Sequence, residues 1–393
     1  VAHSFPTRRS SDLPGLADMH VTLPSRQSPW TREEEFLLLL LAHNVMVIRG
    51  MEGAPAHLEL RREVASGALL GPTIWAGAPP LGGDNAQEPE PTVERMLAHR
   101  RAGYDLQPVF GDVAPEAWDS LAEEAHSRGY TFGGTVPEAV GLRKALSSGI
   151  STVEHLDGYL EEVVSDEIRA RLDRGASIPL ADQLQSVEGR KMRAMAAHTR
   201  ASDAWIVPTL HLWEIRFGSP EVDSLMAQPG MEYVPEPLSN RWILEAGGGS
   251  RVPQKVGREL IDTRRRLLRA LTMAGVGVLM GTGSPELFTV PGFSLRHELQ
   301  SMRAAGLTPY EILVTGTRNV ADYARRELLE PSNFGTVEEG NRADLVLLAG
   351  NPLDDLSALW DQEGIMLRGR WIPRAELDRR LQVMRERLGG QPH

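Results

Sequence analysis

The chain has 393 residues, of which 41% are hydrophobic, so it can bury a full core and is too long for one small domain. The formal net charge is −11 and there is no long basic run, which argues against a nucleic-acid partner. No apolar stretch reaches the roughly 18–20 residues that cross a bilayer, so no membrane partner is predicted. The lack of cysteine excludes disulfides and thiolate metal sites.

The first thirteen residues are predicted to be an artefact. Residues 5–13 back-translate to a nucleotide sequence that resembles a common sequencing-library adapter, so residues 1–13 are left out of the reasoning on the fold. A natural tail is the alternative. On the artefact hypothesis the native N-terminus is missing together with any signal peptide. The compartment therefore stays unknown, and we expect a soluble protein of the cytoplasm or the periplasm.

From Gly15 onward, short β-rich runs alternate with helical patterns, which is typical of a parallel sheet built from βα units. The predicted helices include Ala56–Ser66, Pro115–Arg128 and Pro137–Ser148. Eight strands are predicted, the number that closes an α/β barrel. They are Leu16–His20, Val45–Arg49, Thr73–Ala76, Asp105–Phe110, Tyr130–Gly133, Ser151–Val153, Trp205–Thr209 and Val276–Gly281.

Two features of the long segment between strands seven and eight also support specific predictions. Residues 228–251 are loop-like and contain Pro, Gly and Trp, and we predict that they form a lid over the barrel mouth. The run Arg264–Arg266 lies between apolar positions of a helical pattern and is predicted to be an exposed face.

The first predicted strand carries a family motif. Residues 14–22 (PGLADMHVT) resemble the first barrel strand of the amidohydrolase superfamily, nearest to its imidazolonepropionase-like and Xaa-Pro dipeptidase-like branch. That family ends this strand with two histidines one residue apart, which point to the same side of the strand. His20 matches the first histidine, and Thr22 stands at the second position.

The resemblance implies an α/β fold, a (β/α)8 TIM-type barrel with a small β-sandwich. Residues 335–348 and 367–371 resemble strands of that sandwich, which the family builds from both chain ends. Because the N-terminal contribution is missing on the artefact hypothesis, we expect an N-terminally truncated sandwich whose C-terminal strands lack partners. The expected division is 1–13 artefact, 14–325 barrel, and 326–393 sandwich remnant with a terminal helix.

The resemblance also implies a binuclear site for zinc or another divalent metal, which hydrolyses amides, other non-peptide C–N bonds or dipeptides. His155, within the matching context of residues 153–159, is retained like His20, and the family assigns these two ligands to different metals. Functional zinc sites use at least three protein ligands. Four expected ligand positions hold other residues: Thr22, Pro108 in place of a carboxylated lysine, Thr135 in place of a histidine, and Gly283 in place of an aspartate.

We therefore predict a catalytically degenerate homologue, a pseudoenzyme without a bound cofactor, whose pocket binds a small polar molecule. Two alternatives stay open. One is an active hydrolase with a rebuilt site, either one metal on three histidines or metal-free acid/base chemistry. The other is a structural or subunit role, and a homo-oligomer is compatible with each hypothesis. The ligand-binding candidates are His20, His155, Asp157, Tyr159 and His211, of which His20 and His155 are the remnant metal ligands.

Overall fold

The strands of the protein are short, and most of them are parallel. The computed structural model describes residues 11–25, 30, 32–248, 252–331 and 333–389. The strands are β1 (Ser11–Pro14), β2 (Leu16–Val21), β3 (Val45–Gly50), β4 (Thr73–Ala76), β5 (Gln107–Val109), β6 (Phe132–Gly134), β7 (Thr152–Glu154), β8 (Trp205–Val207), β9 (Leu345–Leu348), β10 (Gln362–Leu367) and β11 (Arg370–Pro373).

Helices follow most of the barrel strands, and the longest groups of helices follow β7 and β8. They are α1 (Glu33–Ala42), α2 (Pro55–Ser66), α3 (Pro89–Ala102), α4 (Pro115–Arg128), α5 (Leu142–Ser147), α6 (Tyr159–Val163), α7 (Asp166–Leu172), α8 (Leu180–Gln185), α9 (Gly189–Ala201), α10 (Leu210–Gly218), α11 (Val222–Met226), α12 (Glu236–Gly247), α13 (Gln254–Met273), α14 (Phe293–Ala304), α15 (Pro309–Thr315), α16 (Arg318–Glu327) and α17 (Arg374–Gly389). No helix in the described part of the chain is long and apolar enough to span a membrane.

The parallel strands close into the predicted (β/α)8 barrel. Strands β2–β4 form one parallel sheet and β5–β8 form another, and a bridge between Gly77 and Leu106 joins the two. On the opposite side, residues 277–284 lie between β8 and β2. The amide of Ile206 donates to the carbonyl of Gly277 at 2.9 Å, and the amide of Gly283 donates to the carbonyl of His20 at 2.9 Å.

Two predicted elements differ from the structure by more than two residues at an end. The eighth strand is not a continuous strand over Val276–Gly281, because successive amides donate to different elements: Leu279 to Ile206 on β8, and Met280 to Thr315 on α15. The helix predicted over Pro137–Ser148 begins only at Leu142, because Pro137 lies in a turn that precedes it.

The predicted lid, residues 228–251, contains α12, and residues 249–251 lie outside the described residues. Trp242 of α12 is buried with its ring centroid 5.5 Å from that of Phe288, in the loop that follows residues 277–284. This contact places α12 against a loop on the carboxyl-end side of the barrel. That the segment acts as a lid stays a prediction.

The expectation that the C-terminal strands lack a partner is wrong. Residues 11–14 form β1, which pairs antiparallel with all four residues of β9, and β10 and β11 continue the same sheet. The pairing uses main-chain groups, so it requires only an extended segment at this edge. The adapter hypothesis for residues 1–13 stays a prediction, and residues 1–10 lie outside the described residues.

Helix α1 fixes the barrel against the C-terminal part of the chain. Its run from Phe36 to Ala42 is buried on all sides because the helix packs between β3 and α17. Glu35 of the same helix forms an ion pair with Arg387 of α17. The sheet of β1 and β9–β11 is therefore held against the barrel by helix packing as well as by the chain connection.

Candidate functional site

A buried chain of charged residues lies under the barrel mouth. Arg49, near the end of β3, has no exposed surface, and its Nη2 lies 2.6 Å from Oε1 of Glu154 on β7. The other oxygen of Glu154 lies 2.7 Å from Nδ1 of His20. Arg49 Nε also donates to the carbonyl of Met19, and Arg49 Nη1 donates to hydroxyls of Thr152 and Tyr323. The guanidinium is thus both paired and extensively hydrogen-bonded, as a buried charge requires.

These contacts set the protonation of Glu154 and the orientation of His20. Burial raises the pKa of the Glu154 carboxyl, but the Arg49 guanidinium and the His20 imidazole outweigh this and lower the pKa to about 2. Glu154 is therefore a carboxylate, and Nδ1 of His20 is the donor in their hydrogen bond. In a neutral His20 ring the accepting nitrogen is then Nε2.

The second retained histidine, His155, lies beside the first. The two ring centroids are 4.6 Å apart, and Nδ1 of His155 lies 2.7 Å from Oγ1 of Thr209. Burial, and then the neighbouring His20, lower the pKa of His155 well below its usual value, so the ring is neutral at pH 7. Residues His155 and Leu156 have φ values of 59° and 52°, and Arg264 donates to the carbonyl of His155.

Asp18 of β2 links this strand to residues 277–284, which lie where the eighth barrel strand was predicted. Its carboxylate accepts hydrogen bonds from the amide of Thr282 at 2.9 Å and from the hydroxyl of Thr282 at 2.5 Å. Burial raises the pKa of Asp18 to about 6, against the lowering effect of these hydrogen bonds. Sequence reasoning missed Asp18, Arg49 and Glu154. For Asp18 and Arg49, a charged residue inside a predicted strand was a usable signal.

The four substituted ligand positions have contacts of their own within the fold. Thr135 accepts the amide of Gly111 at 3.1 Å through its hydroxyl, and the amide of Thr22 donates to the carbonyl of Ser284 at 2.8 Å. Gly283 has φ +73°, and a Cβ there would lie 2.8 Å from Cδ2 of Leu212. Pro108 is part of β5 and pairs in register with Gly133.

His211 does not join His20 and His155. It lies in the first turn of α10 and stacks on His297 of α14, with ring centroids 4.6 Å apart. Burial, and then His297, lower the pKa of His211 to about 3. Within the described ranges no group of three or more His, Cys, Asp or Glu side chains is placed to hold a metal ion. The three-histidine metal site considered from the sequence is therefore not formed by the described residues.

The other two ligand-binding candidates have internal partners. Tyr159, the first residue of α6, is fully buried, and its hydroxyl lies 2.9 Å from Oγ1 of Thr199 on α9. Asp157 is partly buried, and its Oδ2 accepts the amide of Val136 at 2.8 Å. Both contacts are internal to the fold, and a ligand-binding role for either residue stays a prediction.

Arg264 is buried, which makes the prediction of an exposed face over residues 264–266 wrong at its first residue. Its side chain is 7% exposed, and Cζ lies 4.1 Å from the ring centroid of Trp213. The spacing within α13 was a usable signal. Arg264 lies four residues from Leu260 and from Leu268, both of which are buried, so it falls on the apolar stripe of the helix.

Family comparison settles the ancestry of this site. The model of the amidohydrolase family matches residues 13–372. The chain belongs to the amidohydrolase family. Ochratoxinase from Aspergillus niger is 25% identical over 184 residues, which cover 45% of this chain and 36% of that protein. The chain thus matches about a third of the length of this curated relative.

Two solved structures share the fold. A bottromycin amidohydrolase superposes with a TM-score of 0.74 at 24% identity, covering 97% of this chain and 81% of that one. A Xaa-Pro dipeptidase, solved with methionine in its active site, gives a TM-score of 0.63 at 17% identity, covering 93% and 87%. At these identities the likeness shows the fold alone.

The family is typically metal-dependent, but the donor set at this mouth does not fit a metal pair. Positions 22, 108, 135 and 283 offer two hydroxyls and no imidazole or carboxylate. Hydroxyls are weak ligands for zinc compared with imidazole, carboxylate or thiolate. His20 and His155 alone would leave each cation with fewer protein ligands than zinc sites use. No chemical step through a metal is derived for this chain.

Proposed function

We propose that this amidohydrolase-family protein has lost binuclear metal hydrolysis and uses the barrel mouth to bind a small polar molecule. One observation carries the proposal: the two retained histidines contact each other and internal partners, Glu154 and Thr209, while the other ligand positions lack coordinating side chains. Two imidazoles are fewer protein ligands than zinc sites use, which supports the proposal.

The mouth offers neutral polar groups and aromatic walls to a ligand. His155 is held neutral by burial, and its ring centroid is 6.3 Å from that of Trp213. The ring of Phe110 lies 6.0 Å from that of His20. Aromatic rings together with a few fixed polar atoms are the usual lining of a small-molecule site.

The test is the metal content of the protein after it is incubated with excess zinc or manganese and desalted, measured by mass spectrometry. We expect a stoichiometry near zero in the wild type and in His20→Ala, with His297→Ala as a matched control outside the histidine pair. One or more tightly held metals per chain, lost in His20→Ala or His155→Ala but kept in His297→Ala, would contradict the proposal.

A second candidate, metal-free hydrolysis, is favoured by the contact between Glu154 and His20. An imidazole that donates from Nδ1 to a carboxylate is a better base at Nε2. His20 would take a proton from water while the hydroxide attacks the amide carbonyl carbon, and would return that proton to the leaving nitrogen as the C–N bond breaks. The test is hydrolysis of N-acyl amino acids and dipeptides by chelator-treated protein. Turnover that disappears in His20→Ala would support this candidate over binding alone.

A further inference from the structure

Arg264 is a buried cation beside the histidine pair. It projects from the apolar stripe of α13, donates through Nη2 to the carbonyl of His155, and lies over the ring of Trp213. The ring of His155 lies between those of Trp213 and His20, with centroid distances of 6.3 Å and 4.6 Å. The guanidinium therefore belongs to the same group of side chains as the candidate site.

Unlike Arg49, Arg264 forms no ion pair with any carboxylate that the structure describes. The two acidic groups that attract this guanidinium are already engaged: Asp157 accepts the amide of Val136, and Glu298 accepts the amides of Leu210 and His211. A buried charge without a partner is costly, so this arrangement is expected only where something else compensates it.

Two donors at this place have no acceptor within the described residues, namely Nε of Arg264 and Nε1 of Trp213. Their side chains are in direct contact, with Cζ of Arg264 4.1 Å from the indole centroid. Buried donors are nearly always satisfied in folded proteins. A single group rich in acceptor oxygens could satisfy both nitrogens and compensate the positive charge.

We propose that the small molecule bound at the barrel mouth carries an anionic group, a carboxylate or a phosphate, and that Arg264 binds this group. The inference rests on the proposed function, because it describes the chemistry of the same ligand. Planar guanidinium groups suit two-oxygen anions through paired N–H donors. Both free nitrogens are shielded from solvent, so the partly buried indole of Trp213 has to shift when the anion enters.

A purely structural role for Arg264 is the competing explanation. His155 and Leu156 adopt left-handed backbone conformations, and the hydrogen bond from Arg264 to the carbonyl of His155 helps to hold that turn. Loss of this bond would destabilise the protein whether or not an anion binds. The measurement must therefore be the change in stability that an anion causes, rather than the stability itself.

The experiment compares thermal unfolding of chelator-treated protein with benzoate, with inorganic phosphate, and with benzamide, which is neutral and has nearly the shape of benzoate. A ligand that binds only the folded state raises the Tm in proportion to its occupancy. We expect benzoate or phosphate to raise the Tm and benzamide to leave it unchanged, and the better of the two anions identifies the acid class. The tryptophan fluorescence should change with the same anion dependence in the wild type and not in Trp213→Phe.

Arg264→Met should abolish the anion-dependent shift, and Arg264→Lys should weaken it. Arg265→Met is the matched control, because this neighbouring arginine is partly exposed and paired with Glu214 at 2.7 Å, and it should keep the full shift. Equal shifts with benzamide, a shift that persists in Arg264→Met, or no shift with either anion in the wild type would overturn the inference. If Arg264→Met does not unfold cooperatively, an undiminished shift in Arg264→Lys overturns it.

The metal content of the same proteins, measured before chelator treatment, separates this inference from the proposed function. If the protein holds no metal and shows no anion response, the anion site is refuted and the proposed loss of metal chemistry is not. If the wild type holds a metal and its anion response is lost in Arg264→Met, the proposed function is refuted and the anion site is not.

Discussion

Nδ1 of His20 lies 2.7 Å from Oε2 of Glu154, in a contact where both side chains are almost entirely buried. In metal sites a carboxylate at this nitrogen orients the imidazole and leaves Nε2 for the metal. In this chain the orienting contact is present, while positions 22, 108, 135 and 283 lack metal-binding side chains. The Glu154 carboxylate therefore has a structural role that does not depend on a metal, because it also neutralises the buried Arg49.

Replacing Glu154 by Ala should strongly destabilise the protein, because Arg49 would remain buried without its partner. Breaking a buried ion pair by removing one member costs about 3–5 kcal/mol. The measurement is the free energy of unfolding from urea titration. Glu124→Ala is the matched control, since Glu124 pairs with Arg128 at 2.7 Å on the surface and should show no comparable loss. Equal effects of the two substitutions would contradict the assigned role of Glu154.

Glu298 should make the stability fall as the pH rises. Burial raises the pKa of this carboxyl from 4.5 to about 8, even though two backbone amides donate to it. The folded state then holds a proton that the unfolded state releases above a pH of about 4.5, so stability is full below that pH and is lost as the pH rises through about 8. We expect Tm measured across this range to decline less in Glu298→Gln than in the wild type. The exposed Glu123→Gln should follow the wild type, and parallel curves for all three proteins would refute the prediction.

Gly283 should resist replacement, even by the aspartate that the family carries at this position. Its φ of +73° disfavours any side chain, and a Cβ would also lie 2.8 Å from Leu212. Gly67 has a similar φ of +79° with nothing near its Cβ position, so it isolates the backbone cost. We expect Gly67→Ala to cost about 1 kcal/mol in unfolding free energy, and Gly283→Ala to cost more. The additional cost should shrink in Gly283→Ala combined with Leu212→Ala, relative to Leu212→Ala alone.

Tyr159→Phe should lower stability without changing ligand binding. The Thr199 hydroxyl donates to the carbonyl of Met195 at 3.0 Å, so Tyr159 is the donor in its hydrogen bond to Thr199. Losing one such bond costs about 0.5–1.5 kcal/mol. Urea titration and the benzoate-dependent Tm shift measure the two properties. A loss of the benzoate-dependent Tm shift with unchanged stability would show that Tyr159 belongs to the ligand site.

The barrel itself could be predicted because its signals are local. Strand Thr73–Ala76 and helix Pro115–Arg128 have the predicted bounds, since β-branched and apolar runs, an N-terminal proline and a following glycine all lie within a few residues of each element. The family motif then placed His20 and His155 at the ends of their strands. The pairing of β1 with β9 was missed because residues 1–13 were excluded before the fold was considered.

The interactions inside the site could not be predicted in the same way. Arg49 and Glu154 are 105 positions apart, and only barrel closure brings their side chains together. His211 has the residue type of a metal ligand, but its position on α10 turns it toward His297 on α14. Such partners depend on how helices and strands pack around the barrel, and the local spacing of residues in the sequence does not determine that packing. Arg264 is different, because its place on an apolar stripe could have been read from the sequence.

The hydrogen bonds of Arg49 also bear on how the chain folds. This one side chain contacts Met19 and Glu154, and its bond to Tyr323 spans 274 positions of sequence. Contacts of such separation form late, after the entropy of closing large loops has been lost. A partly folded chain containing only β2–β4 would carry the arginine without its carboxylate. Half of this barrel is therefore expected to be a poor folding intermediate, and β2–β4 should gain protection from amide hydrogen exchange together with β7 rather than before it.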